Sequence, residues 1–180
     1  DQAVRSGKAL YCGISSYQPD MTREVARICQ RDGLTRPIIH QPSYSMLNRW
    51  VENGLLDATG DTGMGVIPFC PLAQGLLTGK YLHGIPADSR AKQEAGFLKE
   101  DGITPDLVAK LQKLNDIAAA RGQSLAQMAL VWVLRDDRVT SALIGASRPE
   151  QITENIAAVD AGPLTQDQLD AIDVVLAGSS

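Results

Sequence analysis

The chain has 180 residues, 44% hydrophobic and 21% charged, with a formal net charge of −4. That is enough chain to bury a core, and one domain over residues 1–180 is expected. The absence of a lysine and arginine run argues against nucleic acid or an anionic membrane surface as partner, and the absence of a long apolar run argues against a bilayer span.

The chain opens on residues 1–8, which read as the tail of a helix leading straight into a strand, as in a segment of something longer. Residues 9–14 form a short apolar run, expected to be buried, that ends at Ser15 and Ser16. Asp20 is placed to cap a helix whose Met21, Val25, Ile28 and Cys29 share one stripe, and Gly33 closes it. A second strand over residues 37–40 stops at Gln41 and Pro42. Asn48 is placed to cap a helix carrying Val51, Leu55 and Ala58. A third strand over residues 64–70 stops at Pro71. Residues 72–102 show no periodicity and recurring glycine, the pattern of a lid or binding loop. Thr104 and Pro105 open a helix with Leu107, Leu111, Leu114 and Ala118 on one face. Ser124 and Gln127 form a capping box for a helix reaching Leu134. A fourth strand over residues 141–145 hands over to a helix from Ser147. Thr165 and Gln168 cap a last helix with Leu169, Ile172 and Leu176 inward.

Strand runs without polar alternation, each followed by helix, indicate a parallel sheet with right-handed crossovers. Four such units fit either an open doubly wound sheet or half of an eight-fold barrel. In both, ligands bind where the strands end. The groups there are Ser15, Ser16, Tyr17, Gln41, Tyr44, Cys70, Pro71, Leu72, Gly145, Ser147 and Arg148, mostly neutral hydrogen-bonding groups. Such a set suits an amide and a phosphate better than a metal or acid–base work. The helix start at Ser147, with Arg148 beside it, is a ready phosphate site. Ser147 and Glu150 also have capping-box spacing, so plain helix punctuation is the competing account.

Gln41 could bracket a carboxamide, or bond to loop backbone, and the same choice holds for Ser15. Tyr17 and Tyr44 could stack on a ring, or pack as core with a wet hydroxyl. Lys80 and Arg90, in the long loop, could reach a pyrophosphate. His40 points to the opposite side of its strand from Gln41 and is expected behind the sheet. Cys12, Cys29 and Cys70 are odd in number and lack metal spacing, which suggests reduced thiols in a cytoplasmic protein. Cys70 is expected to be a small buried residue. No G-x-G-x-x-G, P-loop or nucleophile elbow is present.

Four segments in order resemble the C-terminal half of an aldo-keto reductase. They are Gly13-Ile14-Ser15-Ser16-Tyr17 with the six residues before it, Gln41-Pro42-Ser43-Tyr44-Ser45, the Pro71-Leu72-Ala73-Gln74-Gly75-Leu76-Leu77-Thr78-Gly79-Lys80-Tyr81 run, and Ile144-Gly145-Ala146-Ser147-Arg148-Pro149-Glu150-Gln151 continuing to Asn155. Arg49-Trp50-Val51-Glu52-Asn53-Gly54-Leu55-Leu56 and the residues 85–90 resemble the bacterial branch that reduces glyceraldehyde 3-phosphate and methylglyoxal, which is related to potassium-channel β subunits. The resemblance implies strands 5 to 8 of a (β/α)8 TIM barrel with an extra C-terminal helix, and NADP as cofactor. Carried over by position, Ser15 and Gln41 would hold the nicotinamide carboxamide. Phe69, Cys70, Pro71, Leu72, Ala73 and Gly75 would line the cofactor beneath the long loop. Lys80 and Arg90 would meet its phosphates. Gly145, Ser147, Arg148 and Gln151 would take the 2′-phosphate, with Glu154 and Asn155 on the adenine. The family's catalytic Asp, Tyr, Lys and His belong to the first four strands, so no catalytic residue is assigned in this chain, and Tyr44 is not the catalytic acid. Ser16 stands where many relatives have asparagine.

The expected function is NADPH-dependent reduction of small aldehydes by the intact protein, with this chain supplying the cofactor-binding half and inactive alone. The missing barrel half or another copy of the chain would be its partner, and a homo-oligomer is open. Two rivals stand beside it: an NADPH-binding regulatory or sensing protein with slow turnover, and a phosphosugar isomerase, for which no rim base is visible.

Overall fold

A computed structural model describes residues 1–86, 89, 91 and 98–178. A single turn, α1 (Gln2–Arg5), precedes β1 (Gly13–Ser15), α2 (Pro19–Asp32) and β2 (Ile39–Gln41). A 3-10 turn at Trp50–Glu52 leads to α3 (Leu55–Thr62), and β3 (Gly65–Val66) follows. After 3-10 turns at Ala73–Thr78 and Glu100–Gly102 come α4 (Pro105–Ala120), α5 (Leu125–Val133), α6 (Pro149–Ile156), a 3-10 turn at Ala157–Ala161 and α7 (Gln166–Ala177).

The strands pair in parallel in the order β1-β2-β3, with Ile14 opposite His40 and Ser15 opposite Gln41. This is the α/β alternation expected, but the strands are shorter than their apolar runs. β3 is cut at Pro68, which has no N–H to donate. Single bonds carry the chain on past it, Ile67 N–H to His40 O and Phe69 N–H to Pro42 O. The fourth strand does not form as a ladder. The segment runs beside β3 through isolated parallel bridges, Val66 with Val139 and Phe69 with Leu143. It has a strand partner on one side only among the described residues, so nothing stiffens its far edge.

The two faces of the sheet differ. The row Ile14, His40 and Val66 faces the helices, and His40 and Val66 are fully buried there. On the other face Ile39 and Gln41 are only half-buried and Ser15 is exposed. The expected burial of residues 9–14 is wrong: Leu10 is 83% and Tyr11 70% exposed. They lead into β1, which pairs on one side only among the described residues. Glycine is required within the sheet at position 65, where a Cβ would lie 2.6 Å from Thr140 Oγ1.

Helix ends follow local chemistry. Thr104, Ser124 and Thr165 each accept the N–H three residues on, capping α4, α5 and α7, and Gln127 and Gln168 complete the two expected boxes. Gly33 ends α2 in a left-handed conformation. Three starts differ from expectation. Gln18, not Asp20, precedes α2, because Pro19 takes the first helical position. Asn48 caps no α-helix: its backbone pairs with Ser45 in a tight turn, and α3 starts after Gly54, whose φ of 92° breaks the run. At α6 the pair Ser147 and Glu150 makes no box; the Gln151 side chain does that work.

The core joins α3, α4, α5 and α7 around Trp132, which is 1% exposed. The Arg135 guanidinium lies 3.6 Å from the Trp132 ring centroid. It donates to the Tyr44 hydroxyl at 2.8 Å and to Glu52 at 2.8 Å, and Tyr44 donates to the same carboxylate at 2.7 Å. Arg49 joins Glu52 at 2.7 Å and Asp173 at 2.5 Å, tying the Trp50–Glu52 turn to α7. Burial pushes the Glu52 carboxyl up, but the bonds from Arg49, Tyr44 and Arg135 outweigh it and hold it below the usual carboxylate range. Burial, with the bond to Glu52, drives the Tyr44 hydroxyl far above the ordinary phenol range. So Tyr44 is core, as one of its two readings held, but its hydroxyl is paired with protein rather than water. Among the described residues no helix is long and apolar enough to cross a membrane.

Candidate functional site

Beyond β3 the backbone bends sharply. Cys70, Ala73 and Gln74 have φ of 55°, 47° and 57°, and Ser16 beyond β1 has 58°. These are left-handed conformations that side-chain-bearing residues rarely hold; Ser16 follows β1 directly, and the other three lie in the turn beyond β3, on the side of the sheet where ligands bind. Short bonds hold the turn: Ala73 N–H to Cys70 O and Gly75 N–H to Leu72 O, both at 2.9 Å, and Thr78 Oγ1 to Gly75 O at 2.7 Å. Cys70 is exposed in this turn, contrary to the expectation of burial. The bend throws it outward onto the rim.

The turn forms one wall of a groove whose other wall is the segment entering α6. One cavity of about 270 Å³ is lined by Cys70, Pro71, Leu72, Gly75 and Lys80 from the first wall and by Gly145, Ser147 and Gln151 from the second. A second, of about 220 Å³, continues it between Leu72, Lys80 and Ala126 on one side and Arg148, Glu154 and Asn155 on the other. The two share Leu72, Thr78, Lys80, Gly145 and Gln151, so they form one elongated groove. Phe69 and Ala73 line a neighbouring cavity of about 540 Å³ that shares Cys70 and Gln74 with the groove. Gly145 leaves the floor open, since a Cβ there would meet nothing within 4 Å.

The groove's arginine is unusual for this chain. Arg148 is the one arginine among the described residues whose guanidinium has no hydrogen bond or ion pair, whereas Arg49, Arg135 and Arg138 have several. Lys80 lies 5.1 Å from the Tyr81 ring centroid and has no carboxylate partner among the described residues. Two unpaired cations, the Ser147 hydroxyl and backbone N–H groups at a helix start can hold an anion. One detail departs from expectation. The Ser147 and Arg148 N–H groups are already bonded to Gln151 Oε1, at 2.8 and 3.3 Å, and so is the Ser147 hydroxyl, at 3.2 Å. Gln151 therefore shapes the helix start from within the groove, and the cationic side chains are the free anion-binding groups.

Ser15 and Gln41 lie outside these cavities. They are adjacent across β1 and β2, and the Ser15 hydroxyl donates to the Gln41 carbonyl at 2.7 Å, the backbone-bonded account of Ser15. Arg90 falls outside the described residues. His40 sits behind the sheet as expected, with Nε2 3.2 Å from Tyr17 O. Among the described residues no cluster of three or more His, Cys, Asp or Glu could hold a metal. Sequence reasoning missed Gln74, Thr78, Ala126, Leu143 and Ile144 as lining residues. Thr78 could have been found as the polar residue between Gly75 and Gly79; Ala126, inside an apolar helix start, carries no local signal.

The Aldo/keto reductase family profile matches residues 1–177. The chain is 52% identical over 177 residues to L-glyceraldehyde 3-phosphate reductase of Escherichia coli, a match covering 95% of this chain and 50% of that protein. It is 37% identical over 177 residues to a probable voltage-gated potassium channel subunit beta of Oryza sativa subsp. japonica, covering 96% and 54%. A probable subunit of the same kind from Arabidopsis thaliana is 38% identical over 177 residues, with the same coverage. The chain thus spans about half the length of the curated relatives it matches. With nearly its whole length inside that profile, the chain belongs to the aldo/keto reductase family.

Proposed function

We propose that this chain is the dinucleotide-binding part of an NADPH-dependent reductase of small aldehydes. The observation that carries the reading is the groove that joins the turn after β3 to the start of α6, with Lys80 and Arg148 unpaired inside it. Its elongated shape suits a dinucleotide, and its charge suits phosphates. When bound, NADPH supplies the hydride for the aldehyde carbon. Leu72, Gly75 and Lys80 would hold the pyrophosphate stretch and Arg148 the 2′-phosphate, joined by the Ser147 hydroxyl once it turns from Gln151 Oε1. Glu154 and Asn155 would meet the adenine. Phe69, Cys70, Pro71 and Ala73 would flank the nicotinamide end, with Gln41 and Ser15 completing its carboxamide contacts from the rim; for Ser15 this requires release of its bond to Gln41. Gln151 would act by shaping the 2′-phosphate seat. The chain's contribution to rate is orientation rather than proton transfer.

The half-barrel reading belongs with this. The exposed β1 edge and the half-open sheet face are what strands 5 to 8 of a (β/α)8 barrel present before the other half, or another copy, closes on them. The similarity to L-glyceraldehyde 3-phosphate reductase favours a three-carbon aldehyde as substrate. The similarity to channel beta subunits favours the second reading, an NADPH-binding regulator with slow turnover.

The test is turnover and binding in the full-length protein. Rapid NADPH oxidation with methylglyoxal or glyceraldehyde 3-phosphate is the expected result. Tight NADPH binding with slow oxidation would select the regulator. Failure to bind either NADPH or NADH would end both readings.

A further inference from the structure

We propose that Gln127 is a positioning residue that seats α6 against α5 and so sets the width of the pocket around Arg148, Gln151, Glu154 and Asn155; the inference rests on the dinucleotide reading of that groove. One side chain makes two bonds in opposite directions. Its Oε1 accepts the Ser124 N–H at 3.0 Å, completing the α5 capping box. Its Nε2 donates to the Glu154 carbonyl at 3.1 Å, on the last turn of α6. That carbonyl is among the final four of a helix, which lack partners within it. Ala126, the residue before Gln127, lines the pocket from the α5 side, and Glu154 and Asn155 line it from the α6 side. The bond therefore ties together two helices that each supply lining residues to the pocket.

Along its own length α6 packs thinly, and its other anchor is the 3-10 turn that continues it, where Ala158 is buried and the turn lies against α5. Asn155 is the one buried residue of α6, and Ile152 and Ile156 are 45% and 59% exposed. With few apolar contacts of its own, α6 is oriented by that turn at its end and by the directional bond from Gln127. No polar atom of Gln127 needs to touch the ligand. It acts through Glu154 and Asn155, whose backbone the bond seats.

The variant Gln127→Glu separates the two bonds. The carboxylate still accepts from Ser124 N–H, and a negative charge in the first turn of α5 is favourable. It has no hydrogen to give Glu154 O and repels it. In the full-length protein, dissociation constants for NADPH and for 2′,5′-ADP, which carries only the adenosine end, are expected to rise together about tenfold. At saturating NADPH kcat stays at the wild-type value, and the melting temperature falls no further than in Ser124→Ala. Ser124→Ala is the converse: it weakens the α5 cap, lowers the melting temperature and leaves both dissociation constants in place. Gln127→Met removes both bonds and is expected to show both losses. Wild-type binding of 2′,5′-ADP with equal affinity in Gln127→Glu overturns the positioning role alone. Equal weakening by Ser124→Ala does the same, since the effect would then be general loosening. No binding of 2′,5′-ADP by the wild type overturns both this inference and the dinucleotide reading.

Discussion

The chain treats its arginines in two opposite ways. Around Trp132, Arg49 and Arg135 are stacked on the ring, and each is bonded to Glu52. At the α6 start, Arg148 reaches no partner among the described residues, and Lys80 across the groove has only the face of Tyr81. The first arrangement is complete within the fold, so its charges serve packing. The second is incomplete, so its charges are available to something outside the fold. Among the described arginines, pairing separates the structural ones from the candidate binding one.

The largest effect expected comes from removing the surface that the paired set rests on. Trp132→Ala should cost about 4 kcal/mol of stability, since a buried aromatic is lost and Arg49 and Arg135 lose their stacking partner. Chemical denaturation would measure it, and a loss under 1 kcal/mol would mean the cluster is ornamental to the core. Next, Arg135→Met should cost about 2 kcal/mol, because Tyr44 and the half-buried Glu52 lose a partner. Arg148→Met sharpens the contrast: stability should hold within about 0.5 kcal/mol. NADPH affinity should fall about tenfold or more while NADH affinity is nearly unchanged, because the lost cation faces the 2′-phosphate. Equal loss for both nucleotides would remove Arg148 from that role.

The smallest effect tests a neutral buried group against these charged ones. Burial holds the His40 pKa below its ordinary 6.5, against the opposing bond to Tyr17 O. The folded state therefore favours the uncharged ring. That contribution is fully present above about pH 6.5 and is lost as the pH falls from there toward the folded pKa, as the unfolded chain takes up a proton the fold resists. Stability measured from pH 8 down to pH 5 should decline through His40, and Gln at position 40 should flatten that part of the slope. A slope identical in both proteins would show that His40 does not titrate with folding.

Much of the fold was legible because its signals are local. Thr104, Ser124 and Thr165 lie at helix starts since a hydroxyl there reaches an N–H three residues on, whatever surrounds it. His40 and Gln41 face opposite ways because adjacent strand residues always do. Errors arose where a partner far along the chain decides. Residues 9–14 look buried by composition, yet Leu10 and Tyr11 stay exposed, leading into a strand paired on one side only among the described residues. The run at 141–145 looks like a strand, yet it is bridged on one side only. Ser147 and Glu150 have box spacing, yet Gln151 reaches back and takes the donors first.

The candidate site divides the same way. The family resemblance puts Leu72, Lys80, Gly145, Arg148 and Gln151 on one list, and they line one groove. It also includes Ser15 and Gln41, which lie outside that groove because they end β1 and β2, whereas the groove opens beyond β3.

From the sequence alone came the alternation of strands and helices, the capped starts, the family resemblance and the residue types on the rim, because each depends on neighbours within a few positions. The tertiary structure alone decided which cations are left unpaired, that Ala126 and Thr78 face the groove, and that Gln127 bridges α5 to α6. Those depend on contacts between segments far apart in the chain, and distance in space between such segments is set by packing and not by spacing.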